Sequence, residues 1–367
     1  MRNIATRIGA FLKEEMPVYF NSTEKKSLFT QLGELKKLYN YYHSLPYHYI
    51  KHGLFLQAFS GDILDYVPLE LLHRYRDKTN PKSDYNKVIN KELFSKLLAD
   101  ASIRVVRNFA IIRRDGSIAL PNGEALFFEQ LLEILRQAGA KGFFLKPTHG
   151  GGGLGHYTAK LVGKTLVVNG NIIGDDEELT ARLFSKLTTR VNSYLIQPLI
   201  RQHPILNKIN SSSVNTVRID TFVQNDNTVV HNAAVLRIGS GSECTDNWGS
   251  GGLVCNIDLE TGELAEIAVT KAKYGRHTFT SHPVTGIVFR GVHLPFWEET
   301  KSLVSSAAEA MRPLRSLGWD VAIMEDGPII IEANQDYDIF MLQDRLGGLR
   351  KTSLAQHALL DSRINPL

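Results

Sequence analysis

A chain of 367 residues, 43% hydrophobic and 22% charged, exceeds one small domain and suits a globular protein of two or three lobes. Its formal charge of +4 is slight and no basic stripe stands out, which argues against nucleic-acid binding and leaves room for an anionic small ligand. Cys244 and Cys255, the two cysteines, make no disulfide framework, and no stretch reaches a membrane span or a signal-type apolar run, so the expected setting is the cytoplasm.

Residues 1–84 read as a mainly helical region. Leu28, Leu32, Leu35 and Leu38 recur at helical spacing, a Tyr- and His-rich stretch runs from Leu38 to Phe55, and Asp65 to Arg76 carries a second helical pattern. Asp77 to Asp84, with Asn80-Pro81, reads as a linker. From residue 85 to 192 helix and strand alternate. A helix is expected over Lys91–Ala99, strands over Val105–Arg113 and Ile118–Leu120, and a helix over Phe127–Gly139. A strand over Gly142–Lys146 comes next, then a hairpin over Tyr157–Leu161 and Thr165–Val168, and a helix over Glu177–Lys186. From residue 193 to 367 strands dominate, at 194–197, 216–223, 228–238, 253–258 and 319–334, with one helix over 297–311. Strand runs with few helices predict an α+β fold, not a doubly wound parallel sheet.

The first chemical signal follows the strand that ends at Lys146. Pro147-Thr148-His149 leads into Gly150, Gly151, Gly152 and Gly153, then Leu154-Gly155. Glycines let backbone N–H groups approach phosphate oxygens, and a lysine adds a point charge for the same phosphates. A P-loop is excluded because no Gly-Lys-Ser/Thr follows, and a dinucleotide fingerprint because a hairpin follows. A glycine run by itself also fits a flexible surface loop.

The second signal is a hairpin. Gly318–Met324 and Pro328–Asn334 flank Glu325-Asp326-Gly327, read as a three-residue loop with Gly327 at its left-handed position. That register pairs Met324 with Pro328 and sets Asp320 opposite Glu332. Alternation then puts Asp320, Glu332 and Asn334 on one face, and Val321, Ile323, Ile329, Ile331 and Ala333 on the core face. Two carboxylates and a carboxamide are oxygen donors that suit Mg²⁺ shared with substrate phosphates, and paired carboxylates call for a cation. The plainer alternative is a solvated polar face.

In this order the motifs resemble those of ATP-grasp enzymes, and within them the sugar-transfer-associated family, over roughly residues 60 to 350. Asn90-Lys91-Glu92-Leu93-Phe94 resembles the first ATP-lysine segment, and Phe144-Leu145-Lys146-Pro147 with the glycine loop the second. Leu195-Ile196-Gln197-Pro198-Leu199-Ile200 is similar to the hinge that meets adenine, although an acidic residue is commoner where Gln197 stands. Asn215-Thr216-Val217-Arg218-Ile219, Gly251-Gly252, His282-Pro283 and the Asp320 and Glu332-Ala333-Asn334 blocks complete the set.

The resemblance implies an ATP-grasp fold in which two α+β lobes clasp ATP. Lys91 and Lys146 would bind phosphate, Gln197 and Leu199 the base, and Asn215 the ribose. Asp320, Glu332 and Asn334 would hold one or two magnesium ions (or Mn²⁺), while Arg237 and, as a weaker candidate, Arg218 would contact the transferring phosphoryl group. It further implies ligation of a small-molecule carboxylate to an amine through an acyl phosphate. A small-molecule kinase and a non-catalytic nucleotide-binding protein are the alternatives. His149, His156 and His282 are candidates for proton transfer, although each reads first as a phosphate-side hydrogen-bond donor or a structural histidine, and Arg276, His277, His282 and Asn247-Trp248 are candidates for an acceptor pocket.

Overall fold

The computed structural model describes residues 9, 11–13, 15–139, 142–150, 155–163, 165–168, 171–173, 192–240, 251–271, 274, 277–337, 343 and 347–351. It is an α+β structure with two antiparallel sheets and a helical N-terminal region. The expected helix Glu177–Lys186, along with Gly151–Gly153, Cys244, Asn247, Trp248 and Arg276, lies outside the described residues.

Two helices organise the N-terminal region, α1 (Leu28–Tyr42) and α2 (Leu69–Thr79). The Ser27 hydroxyl accepts from the Thr30 N–H at the start of α1, and His43 ends the helix in a left-handed conformation with φ 48°. Leu38 and Tyr42 pack into a cluster with Tyr49, Leu54, Phe55 and Tyr66 that reaches across to Phe222, Ala233 and Tyr337. Leu28 and Leu32 face outward.

The expected linker is instead part of the packing. Asp77–Thr79 extend α2, and the fully buried Asn80 side chain donates to the Ser316 carbonyl at 2.6 Å and accepts from the Ser316 N–H at 2.9 Å. An asparagine side chain can mimic a peptide group in this way, which composition alone does not reveal.

Next come α3 (Lys91–Asp100) and the strands β1 (Ala110–Arg113), β2 (Ile118–Ala119) and β3 (Ala125–Leu126), then α4 (Phe128–Gln137). The strands β4 (Phe143–Pro147), β5 (Tyr157–Val162), β6 (Thr165–Val168), β7 (Asn171–Ile173) and β8 (Ser193–Pro198) follow. The first sheet has the order β3-β2-β1-β8-β4-β5-β6-β7. Helix α4 turns Phe128, Leu131, Leu132 and Leu135 onto it, a spacing that fits one face of a helix. Two expectations change here. Residues 105–109 do not extend β1, because Val105 bridges to Ile330 in the other sheet. Strand β8, expected to open the second lobe at residue 193, pairs with β1 and β4 in the first sheet.

The second sheet, in the order β13-β12-β11-β10-β9-β14-β15, comprises β9 (Thr216–Val223), β10 (Val229–Ile238), β11 (Leu253–Ile257), β12 (Leu264–Val269), β13 (Thr278–Phe279), β14 (Ser316–Met324) and β15 (Gly327–Asn334). Helix α5 (Trp297–Ala310) covers one face, burying Val304, Ala307 and Ala308 against Ile219, Trp319 and Val321 in the largest core. Segments flanking β1 and β8 stitch the sheets together: the Val106 N–H donates to the Ile330 carbonyl at 3.0 Å, and the His203 N–H to the Ile323 carbonyl at 2.7 Å. The β14–β15 hairpin is thereby held over the first sheet. No described helix is long and apolar enough to cross a membrane.

Candidate active site

The hairpin turn has two residues, not three: Met324 pairs with Gly327 and Ile323 with Pro328. That pairing alone would move every later partner by one. A bulge at Ile331 absorbs the difference, so Asp320 still faces Glu332 and Gly318 faces Asn334. The bulge also exchanges faces. Ile330 joins the core, whereas Ile329 and Ile331, expected there, do not, and Ile331 lines the cleft. Gly327 accommodates the turn with φ 116°. Gly318 is required by space, since a Cβ there would lie 2.7 Å from Asp220 Oδ1 and 2.8 Å from Tyr337 Cβ.

The cleft between the sheets has a volume of about 910 Å³. Its walls include Lys146 on β4, Gln197 on β8, Leu199, Arg218 on β9, Arg237 on β10, and Asp320, Glu332 and Asn334 on the hairpin. Sequence positions 146 to 334 thus converge. Lys91 lies behind this lining, its Nζ donating to the Gly150 carbonyl and its N–H to the Thr148 carbonyl at 2.9 Å. Phe144, Leu199 and Ile331 supply apolar wall, His156 joins the lining, and Arg201 and Lys208 add charged groups to which the motifs did not point. Arg201 and Lys208 carry no local pattern; only the fold brings residues 200–214 to the opening.

Asp320 is the electrostatic centre. Its carboxylate accepts from Arg218 Nε at 2.7 Å and Nη2 at 2.9 Å, a bidentate pair, and from Arg237 Nη1 at 3.1 and 3.2 Å. Burial pushes the Asp320 carboxyl up, but Arg218 and then Arg237 outweigh it and hold it at about 2. Burial would lower the Arg218 guanidinium, yet Asp320 drives it upward, so both partners stay ionised.

The lysines respond differently. Burial pulls the Lys146 ammonium down to about 8; Glu332 opposes the drop and Lys91 adds to it. Burial also lowers Lys91, again opposed by Glu332. Two buried ammonium groups beside one carboxylate form a site short of negative charge, which suits polyphosphate. Lys146 Nζ contacts the Ile331 carbonyl at 3.4 Å, the oxygen of the bulged residue. His156 is held down to about 4 by burial and by Lys146 and Lys91, so it is neutral near pH 7.

A magnesium ion here would rest on Glu332, Asn334 and Asp320. Among the described residues no group of three His, Cys, Asp or Glu side chains is placed to hold a metal. The oxygen-only donor set fits a hard cation completed by substrate phosphate oxygens. Asn334 Nδ2 contacts Asp320 Oδ2 at 3.5 Å, which orients the other end of its amide, the oxygen, away from Asp320. Asp320 is meanwhile engaged by two arginines, leaving Glu332 and Asn334 as the readier ligands.

One expectation is corrected. Asn215 is fully buried, its amide nitrogen donating to Gln202 Oε1 at 3.0 Å and to the Leu206 and Asn210 carbonyls at 3.0 and 2.9 Å; it does not line the cleft or meet a ribose there. His282 is a structural histidine: Nδ1 accepts from the Thr285 N–H at 3.2 Å, so Nε2 donates to the Gly239 carbonyl at 2.9 Å.

The sequence profile of the Sugar-transfer associated ATP-grasp family matches residues 70–351, and the chain belongs to that family. No curated protein matches it. Among solved structures it is similar to biotin carboxylase from Campylobacter jejuni (9% identity, TM-score 0.47, covering 76% of this chain and 47% of that one). It is also similar to D-cycloserine synthetase DcsG (13%, 0.44, 81% and 79%) and to D-alanine-D-alanine ligase from Coxiella burnetii (11%, 0.40, 77% and 61%). The chain spans about half the length of the biotin carboxylase.

Proposed function

We propose that this protein is an ATP- and magnesium-dependent ligase that activates a small-molecule carboxylate as an acyl phosphate and transfers the acyl group to an amine. The observation that carries it is the convergence of Lys146, Arg218 and Arg237 with Asp320, Glu332 and Asn334 in one cleft. A polyphosphate would lie along Lys91 and Lys146, beside Gly150. The base would sit against Phe144, Leu199 and Ile331. Glu332 and Asn334 would hold magnesium, which would supply positive charge to neutralise the terminal phosphates.

The substrate carboxylate oxygen attacks the γ-phosphorus, and the bond to the β–γ bridging oxygen breaks to release ADP. The amine then attacks the acyl carbon, phosphate leaves, and the amine gives up a proton. Arg237, fixed by Asp320 at the cleft wall, and Lys146 stabilise charge on the transferring phosphoryl group. No covalent nucleophile from the protein is needed. The family's link to sugar transfer supports an amino acid and a sugar-derived partner as substrate classes.

A screen of ADP release over pooled carboxylates and pooled amines, with mass spectrometry of products, tests this. Release that needs both pools supports the ligase. Release with one pool and a stable phosphorylated product assigns a kinase instead, and no release with any pool leaves a nucleotide-binding protein without turnover.

A further inference from the structure

Gln197 is 4% exposed, lies on the cleft side of β8 beside Phe144, and lines the cleft. A carboxamide can present either an acceptor or a donor, so its orientation decides what it reads. A buried chain of three side chains fixes that orientation. The Ser95 hydroxyl, on α3, has one proton and donates it to the Lys91 carbonyl at 2.8 Å, the carbonyl one helical turn back. Its oxygen is left to accept, and Asn108 Nδ2 donates to it at 2.6 Å. Asn108 therefore turns its Oδ1 to Gln197, whose Nε2 donates to it at 2.7 Å. Ser95 and Asn108 are 8% and 7% exposed, so water does not compete freely for these bonds. One Nε2 hydrogen of Gln197 is thereby engaged, and Oε1, the other end of the amide, turns away from Asn108.

We propose that Ser95 and Asn108 are positioning residues that lock Gln197 with its carboxamide oxygen toward the base pocket, so that the cleft selects a nucleobase carrying an exocyclic amine on that edge: adenine over guanine. The inference rests on the nucleotide reading of the cleft given above. Adenine presents an amine donor where guanine presents a carbonyl oxygen. An oxygen facing an oxygen leaves both acceptors unpaired in a partly desolvated site, which corresponds to roughly 10- to 100-fold in affinity. The same relay starts from the backbone of Lys91, so the lysine behind the phosphate site and the base reader share one rigid unit. It also accounts for an amide where an acidic side chain, an acceptor in either orientation, would need no such locking.

The test is the ratio of dissociation constants for GDP and ADP, measured by calorimetry with magnesium on the full chain. The wild-type ratio is expected at roughly 10 to 100. Asn108→Leu frees the Gln197 amide to turn and should bring the ratio to within a few-fold of one. Asn108→Asp still accepts from Gln197 and should keep the ratio. Should Asn108→Leu fail to fold, Ser95→Ala removes the acceptor that orients Asn108 and should lower the ratio as well. A wild type that binds ADP and GDP alike overturns this inference alone, as does a folded Asn108→Leu or Ser95→Ala protein with an unchanged ratio. A wild type that binds neither nucleotide overturns the nucleotide reading itself, and this inference with it.

Discussion

Asp320 stands directly across from Glu332 although the turn that joins their strands is one residue shorter than that pairing requires. The compensation is local, a single extra residue at Ile331, and it has two effects. It restores the carboxylate pair, and it swings the Ile331 side chain and carbonyl to the cleft, where the carbonyl meets Lys146. Deleting Ile331 should slip the hairpin register beyond it and separate Asp320 from Glu332. The expected result is loss of magnesium-dependent ADP binding in calorimetry, with a far-UV spectrum that still shows both sheets and helices; retained magnesium dependence would contradict it.

Arg218 is buried and shares a bidentate pair with Asp320. Arg218→Ala leaves a buried carboxylate with one guanidinium fewer and should cost about 3–5 kcal/mol in urea denaturation. Arg218→Lys should recover only part of this, because an ammonium cannot offer the two-pronged geometry. A variant as stable as wild type would mean that Asp320 finds other partners.

Lys146 sets a pH window. Its ammonium titrates near 8 in the protein against 10.5 for an ordinary lysine. Phosphate favours the protonated form, so ADP affinity should hold up to about pH 8 and fall above it. Stability of the ligand-free protein should move oppositely. Between about 8 and 10.5 the unfolded chain holds the extra proton, so raising the pH through that window stabilises the folded state. Calorimetric affinity and thermal melts from pH 7 to 10, with Lys146→Met as control, check both signs.

Asn80 ties α2 to the first residue of β14 by two hydrogen bonds to the Ser316 backbone. Asn80→Ala leaves a buried N–H and carbonyl without their partner, for a loss of about 2–5 kcal/mol. Asn80→Asp keeps the acceptor only and should fall between the two. Urea denaturation of all three proteins checks the ranking.

Much of the fold was legible because the hydrophobic period is clean. The strands Thr216–Val223 and Val229–Ile238 and helix α5 fall within a residue of their expected places, and the hairpin begins two residues early, at Ser316. The carboxylate face was legible from alternation, although the supposed three-residue loop reached the right pairing through compensating differences: a shorter turn and a bulge. A bulge has no strong signature in an apolar run such as Ile329-Ile330-Ile331, where each residue suits either face. Sheet membership of β8 was not legible either, since pairing partners of a buried strand are set by tertiary contacts. Asn215 misled for a related reason. Its motif neighbour Arg218 points into the cleft, but a polar residue before a strand serves equally well to close a buried turn, and Gln202, Leu206 and Asn210 claim it.

The amide of Gln343 forms a two-way bond with the backbone of Val67, accepting from its N–H at 2.6 Å and donating to its carbonyl at 2.9 Å, across 276 residues of sequence. Asp65 likewise accepts from Arg350 and Lys351. During synthesis the segment that carries Asp65 and Val67, between α1 and α2, leaves the ribosome long before these partners exist. The apolar faces of these helices stay without their final cover until both sheets have been made. Folding of this chain therefore closes late and at long range, and the newborn N-terminal helices are the segment that a chaperone would have most reason to hold.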